Sequence, residues 1–171
     1  MENIIKASVL FALITYGFGL AYADQTAAVT YSATLYSKMT PLISTQPNFG
    51  IISIDTSLSN TATVVLANTG NTVTSSSPGI SIDSGGTSGV LQITGQTGKT
   101  VSISISPSIT MSGTGGATGI TVTPSLAATS ITLTSGSAVV GFGGTLNLPA
   151  LNTTNLTGLT YSGNGTMTVH Y

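Results

Sequence analysis

The side chains able to do acid–base or metal chemistry in this chain are few and scattered. His170 is the single histidine, the acids are Glu2, Asp24, Asp55 and Asp83, the cations are Lys6, Lys38 and Lys99, and cysteine and arginine do not occur. A serine relay needs a histidine held between nucleophile and acid, and no Gly-x-Ser-x-Gly elbow is present. A lone histidine without cysteines makes no zinc centre. Glycoside hydrolysis needs two carboxylates roughly 5–10 Å apart. Asp55 (Ile54-Asp55-Thr56) and Asp83 (Ile82-Asp83-Ser84-Gly85) instead stand at strand ends before turn residues, where aspartate accepts backbone N–H bonds in an Asx turn. Asp83-Ser84-Gly85-Gly86 is too short for a calcium loop. The runs Gly113 to Gly119 and Gly141 to Gly144 lack the Lys-Ser/Thr and helix of a phosphate cradle and read as turns and bulges. No catalytic, metal or cofactor site emerges, and the chain reads as a non-enzyme.

The elements around these residues are those of an exported β-protein. Only 4% of the 171 residues are charged, against about 25% in ordinary soluble domains. A formal net charge of −1 without arginine gives no footprint for nucleic acid or anionic lipid. Without cysteine there is no disulfide framework. Residues 1–23 read as a secretory signal: Lys6 precedes an apolar run from Ala7 to Leu20, and Ala21-Tyr22-Ala23 supplies a small-x-small cleavage site. The apolar run is shorter than the roughly 20 residues that span a bilayer, so no membrane anchor is expected in the mature chain.

From there on, period two dominates. Val29-Tyr31-Ala33-Leu35, Val101-Ile103-Ile105, Ile120-Val122, Ile131-Leu133, Leu146-Leu148 and Met167-Val169-Tyr171 alternate mostly with serine or threonine. That pattern suits strands with one buried and one wet face. Turn clusters separate them at Asn68-Thr69-Gly70-Asn71, Pro78-Gly79, Ser84-Gly85-Gly86, Gly143-Gly144 and Gly163-Asn164-Gly165. Threonine units such as Thr121-Val122-Thr123 and Thr132-Leu133-Thr134 lack the fixed period of a solenoid. The expected fold is a single antiparallel β-sandwich over residues 47–171, preceded by an extension over residues 24–46 that contains Pro41.

Both ends carry information. The segment Gln25 to Lys38 alternates with Val29, Tyr31, Ala33 and Leu35 on one face. It reads either as an ordinary first strand or as an extension that adds to the sheet of a neighbouring copy. The segment Gly158 to Tyr171 ends on an alternating strand with no Lys, Arg or Pro as gatekeeper, which leaves an apolar edge that needs cover. On that strand His170 faces away from Met167, Val169 and Tyr171.

Pro47-Asn48-Phe49-Gly50, Gly143-Gly144-Thr145-Leu146-Asn147-Leu148-Pro149-Ala150, Tyr161-Ser162-Gly163 and Thr166-Met167-Thr168-Val169-His170-Tyr171 together resemble a bacterial family of exported β-proteins, catalogued as domain of unknown function number 4402. The ending is also similar to that of chaperone–usher pilins, with Gly158 and Tyr171 in the places of their glycine and terminal aromatic. It departs from them in the penultimate His170 and the absence of cysteine. The resemblance implies an immunoglobulin-like sandwich short of one strand, completed by a donor strand from another copy. It also implies a fibre subunit at a Gram-negative cell surface, with copies of itself, a periplasmic chaperone and an outer-membrane usher as partners. Val29, Tyr31, Ala33 and Leu35 would then be donor plugs, and Gly158, Tyr161, Met167, Val169 and Tyr171 the chaperone-pairing edge. The alternative is a self-contained surface sandwich that binds glycan or host protein.

Overall fold

The computed structural model describes Thr30 and residues 32–171. The chain divides into two units, Met1–Leu35 and Tyr36–Tyr171. In the first, Thr30 and residues 32–35 are exposed and carry no strand. The signal segment, Val29 and Tyr31 lie outside the described residues.

The second unit holds twelve strands: β1 (Thr40–Thr45), β2 (Ile51–Ile54), β3 (Ala62–Leu66), β4 (Val73–Thr74), β5 (Ile80–Ser84), β6 (Gly89–Thr94), β7 (Thr100–Ile105), β8 (Ile109–Thr110), β9 (Thr121–Leu126), β10 (Ser130–Thr132), β11 (Ser137–Leu148) and β12 (Met167–His170). All pair antiparallel. β-Branched residues and short polar alternates suit such pleated, half-buried surfaces. The chain is an all-β sandwich.

The twelve-residue β11 organises the largest sheet. Phe142 is opposite both Gly89 of β6 and Leu126 of β9, and Gly144 is opposite both Leu66 of β3 and Pro124 of β9. A strand has two edges, so β9 covers one while β6 and β3 follow one another along the other. β1 adds to β6, β4 to β3 and β8 to β9. The remaining strands form the small sheets β10-β7-β12 and β2-β5.

These small sheets divide the interior in two. Val101 and Ile103 of β7, with Met167 and Val169 of β12, pack on Leu91, Ile93, Val140 and Phe142. Ile52, Ile54, Ile80 and Ile82 of β2 and β5 pack on the second cluster, which includes Val64, Val122, Leu146, Leu148 and Leu151. The alternations at 101–105, 120–122, 131–133, 146–148 and 167–169 all turn their apolar members inward.

Two stretches differ from the sequence reading. The segment assigned to a linker contains β1, which pairs from Thr40↔Thr94 to Thr45↔Val90 and brings the compact unit's start forward to Tyr36. Pro41 does not break it because β1 is an edge strand, where a missing N–H can be tolerated. Gly141 to Gly144, read as a turn, instead lies inside β11. A Cβ on Gly141 would meet the Asn68 carbonyl, and one on Gly143 the carbonyls of Leu66 and Ala67. These glycines let the chain leave β3 closely over β11 before it returns as β6. Ser88 secures the return: its N–H donates to Asn71 Oδ1 at 2.7 Å and its hydroxyl to the Ala67 carbonyl at 2.9 Å.

Gly143→Ala is expected to destabilise the domain by about 1–3 kcal/mol through overpacking against backbone. Ser137→Ala, on the exposed end of the same strand, should stay within about 0.5 kcal/mol of the parent. Urea denaturation of both variants measures the contrast.

Candidate functional site

The second interior cluster is itself buried, with Ile120, Val122, Leu146 and Leu148 at most 9% exposed, but the space beside it is open. A groove of about 940 Å³ lies there, lined by residues 46–54, by Ile109, Met111, Ile120, Val122, Leu146 and Leu148, and by residues 156–163. Its floor is the apolar face of β9 and β11, and one wall is β2. All four residues of β2 pair toward β5. Its other edge has no ladder partner among the described residues, and Ile51 is 64% exposed there.

Local chemistry fixes both rims. At Asn48-Phe49-Gly50, the Asn48 N–H donates to the Thr87 carbonyl at 2.8 Å and its own carbonyl accepts from the Thr87 N–H at 2.7 Å. Its side-chain oxygen accepts from the Gly50 N–H at 2.8 Å. Gly50 has φ +78°, and a Cβ there would run into the carbonyls of Ser84 and Gly85, so only glycine fits this turn. Phe49 is thereby held against the cluster.

On the opposite rim, Ser112 and Ser162 exchange backbone hydrogen bonds at 2.8 and 3.0 Å. The Tyr161 hydroxyl donates to the Asn155 carbonyl at 2.6 Å and accepts from the Ala117 N–H at 3.1 Å. Its ring occupies the space left by Gly113 and Gly116. Two of the short sequences that carried the family resemblance, Pro47 to Gly50 and Tyr161 to Gly163, thus build the rims of the groove.

Gly158 lies on the same rim as Tyr161, exposed at φ +75°. The other sequence-derived residues fall in different places. Met167 and Val169 are half-buried on β12, the outermost strand of its sheet, with the opposite edge free of ladder partners among the described residues. Tyr171 stacks on Tyr36, ring centroids 5.2 Å apart. Ala33 and Leu35 are exposed, Leu35 at 87%. Tyr36 and Tyr171 face each other, while Tyr161 is on the groove, so the tyrosines form no single stacking platform.

Of the ionisable groups, Asp55 closes an Asx turn, its Oδ1 accepting from the Ser57 hydroxyl at 2.7 Å and the Ser57 N–H at 3.0 Å. Those two bonds, the hydroxyl's first, hold its carboxyl below the usual carboxylate range. Asp83 accepts from the Ser53 hydroxyl across β2 and β5, and His170 is exposed. Among the described residues no three His, Cys, Asp or Glu gather as a metal site, and no helix is long and apolar enough to cross a membrane.

Sequence reasoning singled out Pro47 to Gly50 and Tyr161 to Gly163 through a family resemblance alone, not as the two sides of a groove. It missed the floor as a site, because Val122, Leu146 and Leu148 are buried as any core alternation would be, and only the fold shows that they also line the groove.

The sequence profile of a family described as Domain of unknown function (DUF4402) matches residues 43–171. The chain belongs to that family. Searches among curated proteins and among solved structures gave no significant match. The match begins inside β1 and runs through both rims of the groove to Tyr171, so the family's domain is the compact unit almost in full.

Tyr161→Phe is expected to cost about 1 kcal/mol, one hydrogen bond's net worth, in chemical denaturation. Asp55 should titrate below an ordinary aspartate in an NMR pH series. Because its folded pKa is depressed, its contribution to stability is full above the ordinary carboxylate range and is lost as the pH falls through the folded value.

Proposed function

We propose that this protein is a structural subunit of a surface fibre, exported through the periplasm and polymerised when residues 24–35 of one copy enter the groove of the next. The observation that carries this reading is the open apolar groove beside the unpaired edge of β2. An extended segment placed there takes main-chain hydrogen bonds from that edge while alternate side chains fill the apolar floor.

The lengths agree. Val29, Tyr31, Ala33 and Leu35 span seven residues, about 23 Å when extended, and the rim they would follow runs over the seven residues from Asn48 to Ile54, of which Ile51–Ile54 are strand. Leu35, 87% exposed in the single chain, has an apolar side chain in need of cover. Two edge strands differ in their protection. β1 carries Pro41 and a register break between Ile43 and Thr45, both devices that discourage edge addition. β2 has neither proline nor charge in its four residues.

Donation of this kind is head-to-tail, so it builds a fibre and not a closed ring. A carrier that lends a strand to the groove during export follows from the same need for cover, with an outer-membrane assembly platform as the second partner.

Leu35→Asp places a charge in the apolar floor and should abolish polymer on the cell surface while the subunit is still exported. Immunogold labelling of intact cells, with a periplasmic extract as the export control, reads both. Fibres of normal number and length from the variant would exclude Leu35 as a plug.

A further inference from the structure

Tyr171 joins the end of β12 to the first residues of the compact unit. Its hydroxyl donates to the Ser37 carbonyl at 3.0 Å and accepts from the Gln96 N–H at 2.9 Å. Its ring lies 5.2 Å from that of Tyr36 at an interplanar angle of 37°, and Lys99 Nζ stands 4.8 Å from the Tyr36 ring centroid, within range of a cation–π contact. The turn beneath is fitted to this cluster, since a Cβ on Gly95 would come within 2.5 Å of the Tyr171 hydroxyl oxygen. Tyr36 and Ser37 are therefore held from two sides. Tyr36 is also where the compact unit starts, and the residue before it is the candidate plug Leu35.

We propose that the Tyr36–Tyr171–Lys99 cluster is the junction that sets the stiffness of the fibre, an inference that rests on the strand-donation reading. With Leu35 seated in one subunit and Tyr36 clamped in its own, no free residue separates the two anchors. Neighbouring subunits then hold a fixed angle. A flexible spacer would instead widen the accessible separation by about 5–6 Å times the square root of its length.

The experiment compares fibres sheared from cells that express the full chain, the same chain with Gly-Ser-Gly inserted between Leu35 and Tyr36, Tyr36→Ala and Tyr36→Phe. Persistence length is read from electron micrographs, and gels of the same material, run with and without boiling, read the ladder of subunit multiples that strand-linked polymers give until heated. Insertion and Tyr36→Ala should leave the ladder and lower the persistence length several-fold, while Tyr36→Phe, which keeps the ring, should stay as stiff as the parent. An unchanged persistence length in the insertion and alanine variants, with the ladder intact, overturns the junction and leaves strand donation standing. No ladder from the parent chain overturns strand donation and the junction with it. Should Tyr36→Ala fail to reach the surface, the insertion, which leaves every side chain of the cluster in place, decides alone.

Discussion

A β-strand offers two edges to its neighbours, and the way β11 spends its two edges governs the rest of this molecule. β9 takes one edge; β6 and β3 share the other end to end. For one edge to be shared, the chain must leave it after Leu66 and return at Gly89, passing over β11 where Gly141 and Gly143 leave room. The excursion carries β4 and β5, and β5 brings β2 with it. One half of the interior therefore lies under the three-stranded sheet and the other under a two-stranded sheet. The groove runs between β2 and residues 156–163, above the buried apolar face that β9 and β11 present.

Little else holds the fold together. There are no cysteines, and only 4% of the chain is charged, so order comes from ladder hydrogen bonds and from burial of Val, Ile and Leu. An unpaired strand edge such as that of β2 is a larger liability here than in a protein with disulfides or a charged rim, because no other device limits its pairing with other chains. A partner segment that completes the sheet removes the liability and adds stability in the same step. In the proposed assembly that partner segment is the alternating stretch before Tyr36.

Much of this was legible in the sequence. Alternation at Val101-Ile103 and Leu146-Leu148 gave strands and their inward faces, because a half-buried strand writes its burial at period two. Asn48-Phe49-Gly50 and Tyr161-Ser162-Gly163 stood out through the family resemblance alone, and the structure shows them as rims whose Asx turn, left-handed glycine and ring packed on glycines each demand specific residue types. What was not legible depended on neighbours far along the chain. Gly143-Gly144 looks like a turn in isolation and is strand interior only because another segment crosses it. Thr40–Thr45 looks like a linker because of Pro41, and is a strand because β6 offers it an edge. The groove itself is a space beside residues that are buried like any core, and it leaves no mark on their pattern in the sequence.

The most direct measurement is a gel of material sheared from the cell surface, run with and without boiling and probed for this protein. Release from a strand-completed groove requires unzipping a whole strand and exposing its apolar floor, so such polymers persist in detergent until heated. The proposed assembly predicts a ladder of subunit multiples in the unboiled lane that collapses to monomer on boiling. A single monomer band in both lanes would contradict it.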